Sequence, residues 1–151
     1  MTDQAPPTGL SIGDASRVTG LPVETLRYYD RARLLGDLPR TYGGQRLFDD
    51  TALGLLDVVI RLRRTGMPVE EVRRFSDLVR RGDAHRATRL ELLRTHRERV
   101  SGQIEQLVRD RDVIDWKIAA YTAAESGGPV PPRPEHWPEP TTNLPTAGDS
   151  E

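Results

Sequence analysis

Cysteine is absent from the 151-residue chain. Its absence excludes disulfides, iron–sulfur clusters, thiolate metal sites and thiol redox sensing. The three histidines, His85, His96 and His136, do not replace it, because the first two are 11 residues apart. That separation is about 16 Å along a helix, too far for shared coordination. We therefore expect no metal site and no cofactor.

Long apolar runs are also missing. No segment approaches the roughly 20 apolar residues of a membrane span, and residues 1–8 lack the basic-then-apolar pattern of a signal peptide. Hydrophobic residues make up 36% of the chain and charged residues 30%, with only two Phe. This composition favours one small domain with an extended helical appendage. We expect a soluble cytoplasmic protein with no membrane partner.

Charge is unevenly distributed, although the net charge is only −1. Residues 9–82 hold 13 Arg against 10 acidic residues, residues 83–126 hold eight charges of each sign, and residues 127–151 hold one Arg against four acids. A basic front is compatible with nucleic-acid binding by the first part of the chain. Residues 1–8, with two prolines, are expected to form a mobile leader.

Residues 18–30 are typical of a helix end, a tight turn and a second helix. Gly20 is expected to end the first helix, because glycine adopts the left-handed conformation without a Cβ penalty. Pro22 is expected in the first turn of the second helix, where its missing N–H has no helical partner in any case. Two short helices joined in this way form a helix-turn-helix unit, whose second helix enters the DNA major groove. The apolar stripe of the first helix, which begins at Ser11, consists of Ile12, Ala15 and Val18.

Residues 38–48 predict a small hairpin, with Gly43 and Gly44 at its turn. A two-stranded wing is not stable by itself, so it must lean on the helices through Leu38, Leu47 and Phe48. Arg40 and Arg46 then lie on the exposed side, on opposite limbs of the wing. Two further short helices, the first capped by Asp49, complete a compact domain over residues 9–82.

Residues 83–125 predict a single long helix. From Leu93 onward, mostly apolar residues recur on one face of this helix in alternating steps of four and three, at positions 93, 97, 100, 104, 107, 111, 114, 118 and 121. This is the heptad spacing of a coiled-coil seam. Arg97 and Arg111 interrupt the seam. A helix of about 40 residues is roughly 60 Å long, more than the small domain can cover. The stripe is therefore predicted to be buried against a second copy of the chain.

Residues 126–151 are rich in proline, which favours a disordered or polyproline-like tail. Trp137 is the exception among these prolines. It either docks on the coiled coil as a hook or is simply exposed.

In this order the elements resemble the MerR family of bacterial transcription regulators, and the resemblance covers about half of the chain. The fold class expected is mainly α, with a winged helix-turn-helix head of four short helices and a two-stranded wing, followed by a long coiled-coil dimerisation helix. The matching stretches are Ser11-Ile12-Gly13, Thr25-Leu26-Arg27-Tyr28-Tyr29-Asp30, Gly44-Gln45-Arg46-Leu47-Phe48, Leu62-Arg63-Arg64-Thr65-Gly66-Met67 and Val69-Glu70-Glu71-Val72.

The resemblance implies a homodimer joined through an antiparallel coiled coil. It implies binding to a palindromic promoter in double-stranded DNA, which the dimer bends and untwists so that RNA polymerase can use it. Specificity by deformation, supported by phosphate contacts, is physically reasonable. Such a protein would be cytoplasmic and associated with the bacterial nucleoid.

The resemblance also implies roles for individual residues. Arg27 and Tyr28 would contact phosphates or base edges, and Glu24 and Thr25 would face bases. From the wing and the end of the third helix, the backbone contacts would come from Gln45, Arg46 and Arg63. Arg40 has no strong motif match, and its place on the wing alone makes it a further candidate contact. Gln45 stands where the family commonly has Tyr. Arg33 replaces the usual Gly after the second helix, which either strains that turn or adds a phosphate contact.

Several alternatives remain open at this point. Tyr29 belongs to the core more readily than to the contact surface, and Arg61 and Arg64 are either DNA contacts or a solvated helix end. An effector, if one exists, would be a small organic molecule bound between the coiled coil and the tail by Trp116, Tyr121 and Trp137.

A coiled-coil protein-interaction adaptor without DNA binding is the alternative function. An adaptor has no need of basic groups at the wing and at Arg63, which favours the regulator. No Ser/His/Asp set, phosphate-binding glycine loop or pair of buried carboxylates emerges at workable spacing, so the chain is not expected to be an enzyme.

Overall fold

The structure is a computed structural model that describes residues 7–137. Most of the predicted leader and the last part of the predicted tail lie outside the described residues. The helices are α1 (Ile12–Thr19), α2 (Val23–Arg31), α3 (Asp50–Arg64), α4 (Val69–Arg80) and α5 (Arg86–Ser126), with a short 3-10 helix, Asp83–His85, directly before α5. The mainly helical fold class with a long last helix is confirmed.

The helix ends follow the local signals in the sequence. The Ser11 hydroxyl accepts the Asp14 N–H at 3.1 Å and caps α1. Gly20 ends α1 in the left-handed conformation, at φ 73°. The Asp49 carboxylate accepts the Ala52 N–H at 2.9 Å and caps α3. Pro22 lies one residue earlier than expected, at the cap position of α2 and not inside its first turn.

The wing is not a two-stranded ribbon. Within the described residues it consists of one isolated antiparallel bridge between Arg40 and Arg46. Pro39 accepts the Leu47 N–H at 2.8 Å but has no N–H to return, so the ladder cannot extend. Phe48 pairs instead with Leu10, ahead of α1, through reciprocal backbone hydrogen bonds of 2.9 and 2.8 Å. The wing is therefore tied to the start of the domain.

The core of the head gathers apolar side chains from α1 to α4, the loop after α2 and the wing. Leu92 and Leu93 of α5 pack against it. Val18 does not take part: it is 68% exposed, so the predicted stripe of α1 ends at Ala15. The fully buried large side chains include Leu26, Leu34, Leu35, Phe48, Val59, Met67 and Val72.

Three side chains on one face of α4 hold the loop that follows α2. Arg73 Nε donates to the Ala32 carbonyl at 2.6 Å, and Ser76 Oγ donates to the Leu34 carbonyl at 2.6 Å. Arg80 Nε donates to the Leu35 carbonyl at 2.7 Å. A helix end leaves carbonyls without helical partners, and burying them unpaired is costly. These donors therefore fix the position of the C-terminal end of α2.

The same loop contains two residues with positive φ. Arg33 has φ 56°, the only such value for a non-glycine residue in the described chain. The strain expected from an Arg at a family glycine position is therefore present. Gly36 has φ 71°, and a Cβ there would lie 2.5 Å from Arg80 Cδ. Gly36 thus lets the Arg80 side chain lie close to the backbone.

Arg80 also pairs with the cap of α3. Its terminal nitrogens donate to both carboxylate oxygens of Asp49, at 3.0 and 3.1 Å. Burial alone would raise the pKa of Asp49, but hydrogen bonds from Arg80 and from the Ala52 N–H, together with the charge of Arg80, outweigh it and hold the pKa below its ordinary value of 3.8. One guanidinium therefore joins the end of α4, the start of α3 and the loop after α2.

By its backbone contacts the chain divides into two compact units, Met1–Glu98 and Arg99–Glu151. The division falls inside α5, so the first turns of that helix belong with the head. The segment boundaries inferred from the sequence, at 82/83 and 125/126, stay a prediction.

In the second unit, α5 carries an exposed apolar stripe. Leu107 is 67% exposed, and Ile104, Ile114, Ile118 and Tyr121 are similarly open to solvent. These are seam positions of the predicted heptads. From residue 112 to the end of α5, the half-buried positions lie away from the stripe, at Asp112, Val113, Trp116, Ala120 and Ala123.

We expect Arg80→Met to lower the free energy of unfolding by about 2–3 kcal/mol at pH 7, because it leaves the Leu35 carbonyl and Asp49 without their charged donor. Since the folded pKa of Asp49 is depressed, its stabilisation is present above the unfolded pKa and is lost as the pH falls through the folded value. The difference between the two proteins should therefore shrink at acidic pH. Urea unfolding at pH 7 and pH 3 measures it, with the neighbouring Arg81→Met as the control. Equal losses in both variants would contradict this assignment.

We expect Arg33→Gly to raise the free energy of unfolding by about 0.5 kcal/mol, because relief of the left-handed strain exceeds the extra entropy of glycine in the unfolded chain. The matched control is Arg31→Gly, in the last helical position of α2, which should lower it by roughly 0.5–1 kcal/mol. Thermal unfolding compares the two. A stability loss in both variants would show that the Arg33 conformation carries no strain.

Candidate nucleic-acid interface

The outer face of α2 carries four of the predicted DNA contacts. Leu26 turns into the core, and the opposite surface presents Arg27 and Tyr28, each about half exposed. Glu24 is exposed and accepts a hydrogen bond from Arg27 at 3.0 Å. Thr25 is half-buried beside them. An exposed ion pair of this kind contributes little to stability, so Arg27 can exchange its carboxylate for a phosphate at small cost.

A buried carboxylate connects the wing to the end of α2. Asp30 is only 9% exposed in its side chain and accepts a hydrogen bond from Arg46 Nε. Arg40 Nη2 lies 3.9 Å from the same carboxylate, and Arg40 Nη1 donates to the Gly44 carbonyl at 3.1 Å. Gln45 is exposed at the wing tip. The structure thus joins the two wing arginines to the end of α2.

Arg46 is less open than the sequence suggested. Its side chain is 34% exposed, whereas both wing arginines were expected on the free side of a ribbon. Sequence reasoning also gave no role to Asp30, although it ends the Arg-Tyr-Tyr-Asp string. The available signal was an acidic residue in the last turn of a helix, where the helix dipole favours a basic one.

Arg63 is held at the end of α3. It is half-buried and donates to the Met67 carbonyl. Its charge also acts on Tyr29: burial raises the pKa of the Tyr29 hydroxyl above its ordinary value of 10.0, Tyr28 adds to the rise and Arg63 opposes it. Tyr29 packs against the core, with its ring centroid 5.7 Å from that of Tyr28. Arg63 therefore lies near α2, and Tyr29 belongs to the core.

The two remaining arginines at this helix end differ. Arg61 is exposed and pairs with Asp57 one turn earlier. Arg64 is exposed and has no ion-pair partner among residues 7–137. Both are compatible with a solvated helix end.

Two of the three residues predicted for an effector come together in the second unit. The Trp116 and Trp137 rings meet edge to face, with centroids 5.0 Å apart. Trp116 Nε1 donates to the Pro131 carbonyl at 2.8 Å, and the Arg133 guanidinium lies over both indoles, 5.6 and 5.1 Å from their centroids. Trp137 thus docks on α5, which is the first of the two alternatives that the sequence left open.

Tyr121 does not join this pair. It is exposed on the stripe, and Lys117 Nζ lies 5.4 Å from its ring and 5.6 Å from that of Trp116. Beside Trp137 lies an open groove of about 560 Å³. Its lining is formed by Gln106, Arg109, Asp110, Val113, Ile114, His136 and Trp137.

Among residues 7–137, none of the helices combines the length and the hydropathy that a membrane-spanning segment requires. No group of three or more His, Asp or Glu side chains in residues 7–137 lies close enough to hold a metal ion.

Comparison with known proteins decides the family. Residues 10–78 match the family described as MerR HTH family regulatory protein, and residues 53–117 match the one described as MerR, DNA binding. An uncharacterised HTH-type transcriptional regulator of Haemophilus influenzae is 34% identical over 116 residues, which cover 77% of this chain and 86% of that protein. The chain belongs to the MerR family of transcriptional regulators.

A solved structure supports the same assignment for this MerR-family chain. The crystal structure of HiNmlR, a MerR family regulator lacking the sensor domain and bound to promoter DNA, aligns with a TM-score of 0.63 at 31% identity. The alignment covers 80% of this chain and 97% of HiNmlR. Some relatives are much longer: the nodulation protein NolA of Bradyrhizobium is 32% identical over 101 residues, or 67% of this chain, and the match spans only 40% of NolA.

Docking of the tail of this MerR-family chain is open to a direct optical test. Trp116 and Trp137 are its only tryptophans. We expect Trp137→Ala to shift the fluorescence of Trp116 to longer wavelength and to weaken the near-ultraviolet circular dichroism, because the edge-to-face contact is lost. Tyr121→Ala, which leaves both indoles in place, is the control for fluorescence. An unchanged Trp116 emission in Trp137→Ala would contradict the docked tail.

Proposed function

We propose that this regulator acts as a homodimer on a palindromic promoter element and alters transcription by bending and untwisting the DNA. The observation that carries the proposal is the exposed face of α2, which presents Arg27 and Tyr28 next to wing arginines joined to the same helix through Asp30. Arginine matches phosphate and guanine geometry in two-pronged hydrogen bonds. HiNmlR, bound to promoter DNA, gives the proposal a structural parallel.

Within this proposal the interface has two parts. Arg27 and Tyr28 contact phosphates or base edges in the major groove, while Glu24 and Thr25 face bases. Contacts to the backbone come from Arg40, Gln45, Arg46 and Arg63. Phosphate contacts set the register of the protein on the duplex, and base contacts provide specificity.

The exposed stripe of α5 supports dimerisation. A row of β-branched and aromatic side chains such as Ile104, Ile114 and Tyr121 is unfavourable in water, and heptad spacing allows a second helix to cover it. The tail docks at Trp116, on another side of the helix, so it leaves the stripe available. The two faces of α5 thus have different occupants.

A dimer with two basic heads can bend the DNA between its half-sites. Bending costs energy that depends on the sequence being deformed, so specificity arises even where no base is contacted. RNA polymerase at the same promoter is the partner that responds to the altered DNA. A small organic effector is proposed for the groove beside Trp137, whose volume and mixed lining suit such a ligand.

We expect Arg27→Ala to weaken binding to a duplex from the gene's own upstream region by about 1–3 kcal/mol if Arg27 reads a base, or to reduce the salt slope by about one if it holds a phosphate. Fluorescence anisotropy at several salt concentrations measures both. Arg109→Ala on α5 removes the same charge outside the head and should bind like the wild type. Unchanged binding by Arg27→Ala would remove this residue from the interface.

We expect Leu107→Glu to shift the protein from dimer to monomer at micromolar concentration, because it buries a charge in the seam. Ala119→Glu, an exposed position of α5 outside the stripe, should stay dimeric. Sedimentation velocity separates the two states. A dimeric Leu107→Glu protein would show that the stripe is not the interface.

A further inference from the structure

An acidic side chain occupies the middle of the proposed DNA-binding surface. Asp30 lies one residue before the end of α2, with its side chain 9% exposed. It accepts a hydrogen bond from Arg46 Nε, and Arg40 Nη2 lies 3.9 Å away. A carboxylate between two arginines lowers the positive potential that a DNA phosphate would meet. Long-range attraction alone therefore does not explain an acid at this place.

The atoms involved suggest what the carboxylate does. A guanidinium is a planar fork with five N–H donors, one of them on Nε. Arg46 uses Nε toward Asp30, and its side chain is still 34% exposed. The contact with Nε leaves the terminal nitrogens to another acceptor. A guanidinium held along one edge loses less conformational entropy when its other edge binds a phosphate.

The same contact sets the place of the wing. The wing has a single bridge between Arg40 and Arg46, so its own backbone constrains it weakly. Asp30 joins the residues of that bridge to the end of α2. The loop between them is itself held by α4, through the Leu34 and Leu35 carbonyls. Asp30 therefore adds to the Leu10–Phe48 pairing a second contact that sets how far the wing arginines lie from α2.

We propose that Asp30 is a positioning residue for DNA binding: it orients Arg46 for a phosphate and holds the wing at a fixed distance from α2. The inference rests on the proposed function, in which Arg46 contacts the DNA backbone. By its negative charge alone Asp30 would weaken DNA binding, whereas as a positioning residue it strengthens DNA binding.

Asp30→Asn separates the two effects. Removal of a negative charge near DNA should tighten binding if charge alone matters. If Asp30 positions Arg46, the variant should bind an upstream duplex about tenfold more weakly at fixed salt, because a charge-assisted hydrogen bond is lost. Fluorescence anisotropy gives the affinity, and circular dichroism with thermal unfolding establishes that the variant is folded.

Asp37→Asn is the matched control. Asp37 lies in the loop after α2, is 83% exposed in its side chain and pairs only with Arg33 in the described chain, at 2.9 Å. This variant removes the same charge from the same head, at a carboxylate whose ion pair is with Arg33 and not with either wing arginine. We expect it to bind as tightly as the wild type or more tightly.

Three further readouts distinguish positioning from a general structural role. In an Arg46→Ala background, Asp30→Asn should produce no additional loss, since the group it orients is gone. In nuclear magnetic resonance spectra of the DNA-free protein, the Arg46 Nε–H should be protected from exchange in the wild type and exposed in Asp30→Asn. Asp30→Glu, which keeps the charge but displaces it by one methylene, should bind more weakly than the wild type.

The outcomes are separable. Equal or tighter binding by Asp30→Asn, or by Asp30→Glu if the Asn variant does not fold, would overturn the positioning role while the proposed function stands. The same conclusion follows if Asp30→Asn weakens binding equally with and without Arg46. If the wild-type protein binds no duplex from its upstream region, the proposed function fails, and this inference fails with it.

Discussion

The turn after α2 depends on hydrogen-bond donors from α4, which lie 41 to 45 residues further along the chain. Carbonyls of Ala32, Leu34 and Leu35 would be left unpaired where the chain leaves α2, and a face of α4 supplies an arginine, a serine and a second arginine to them. Because these hydrogen bonds are partly or fully buried, their loss would cost more than surface contacts do. These hydrogen bonds set the positions of α2, of the wing that follows it and of the cap of α3.

The arginines of the head therefore serve different purposes despite their identical chemistry. Arg73 and Arg80 are donors to backbone carbonyls inside the domain. Arg46 is shared between a buried carboxylate and the surface, and Arg27 is exposed with only a local ion pair. Counting basic residues on the front of the chain does not distinguish these groups. The small charge surplus of the head does not by itself locate a DNA-binding surface, because exposed arginines also lie on α1, α3 and α4.

Local features were predictable from the sequence, and long-range contacts were not. The caps at Ser11 and Asp49 and the helix end at Gly20 depend on neighbouring residues, and the strained turn at Arg33 followed from comparison with the family pattern. The α4 hydrogen bonds join residues that are 41 to 45 positions apart, so no local sequence pattern predicts them. The wing was predicted as two strands because Gly-Gly marks a hairpin, but Pro39 limits it to one bridge. Heptad spacing located the exposed stripe of α5, whereas docking of Trp137 required a structure, since prolines before it gave no periodic signal.

Under the proposed function, two copies of the head, joined through the stripe of α5, bind one duplex mainly through arginine–phosphate contacts. The most direct measurement is sedimentation velocity of a fluorescent duplex from the upstream region, titrated with protein at low and physiological salt. We expect saturation at two chains per duplex and a steep loss of affinity as salt rises. Saturation at one chain per duplex, or an affinity that does not change with salt, would contradict it.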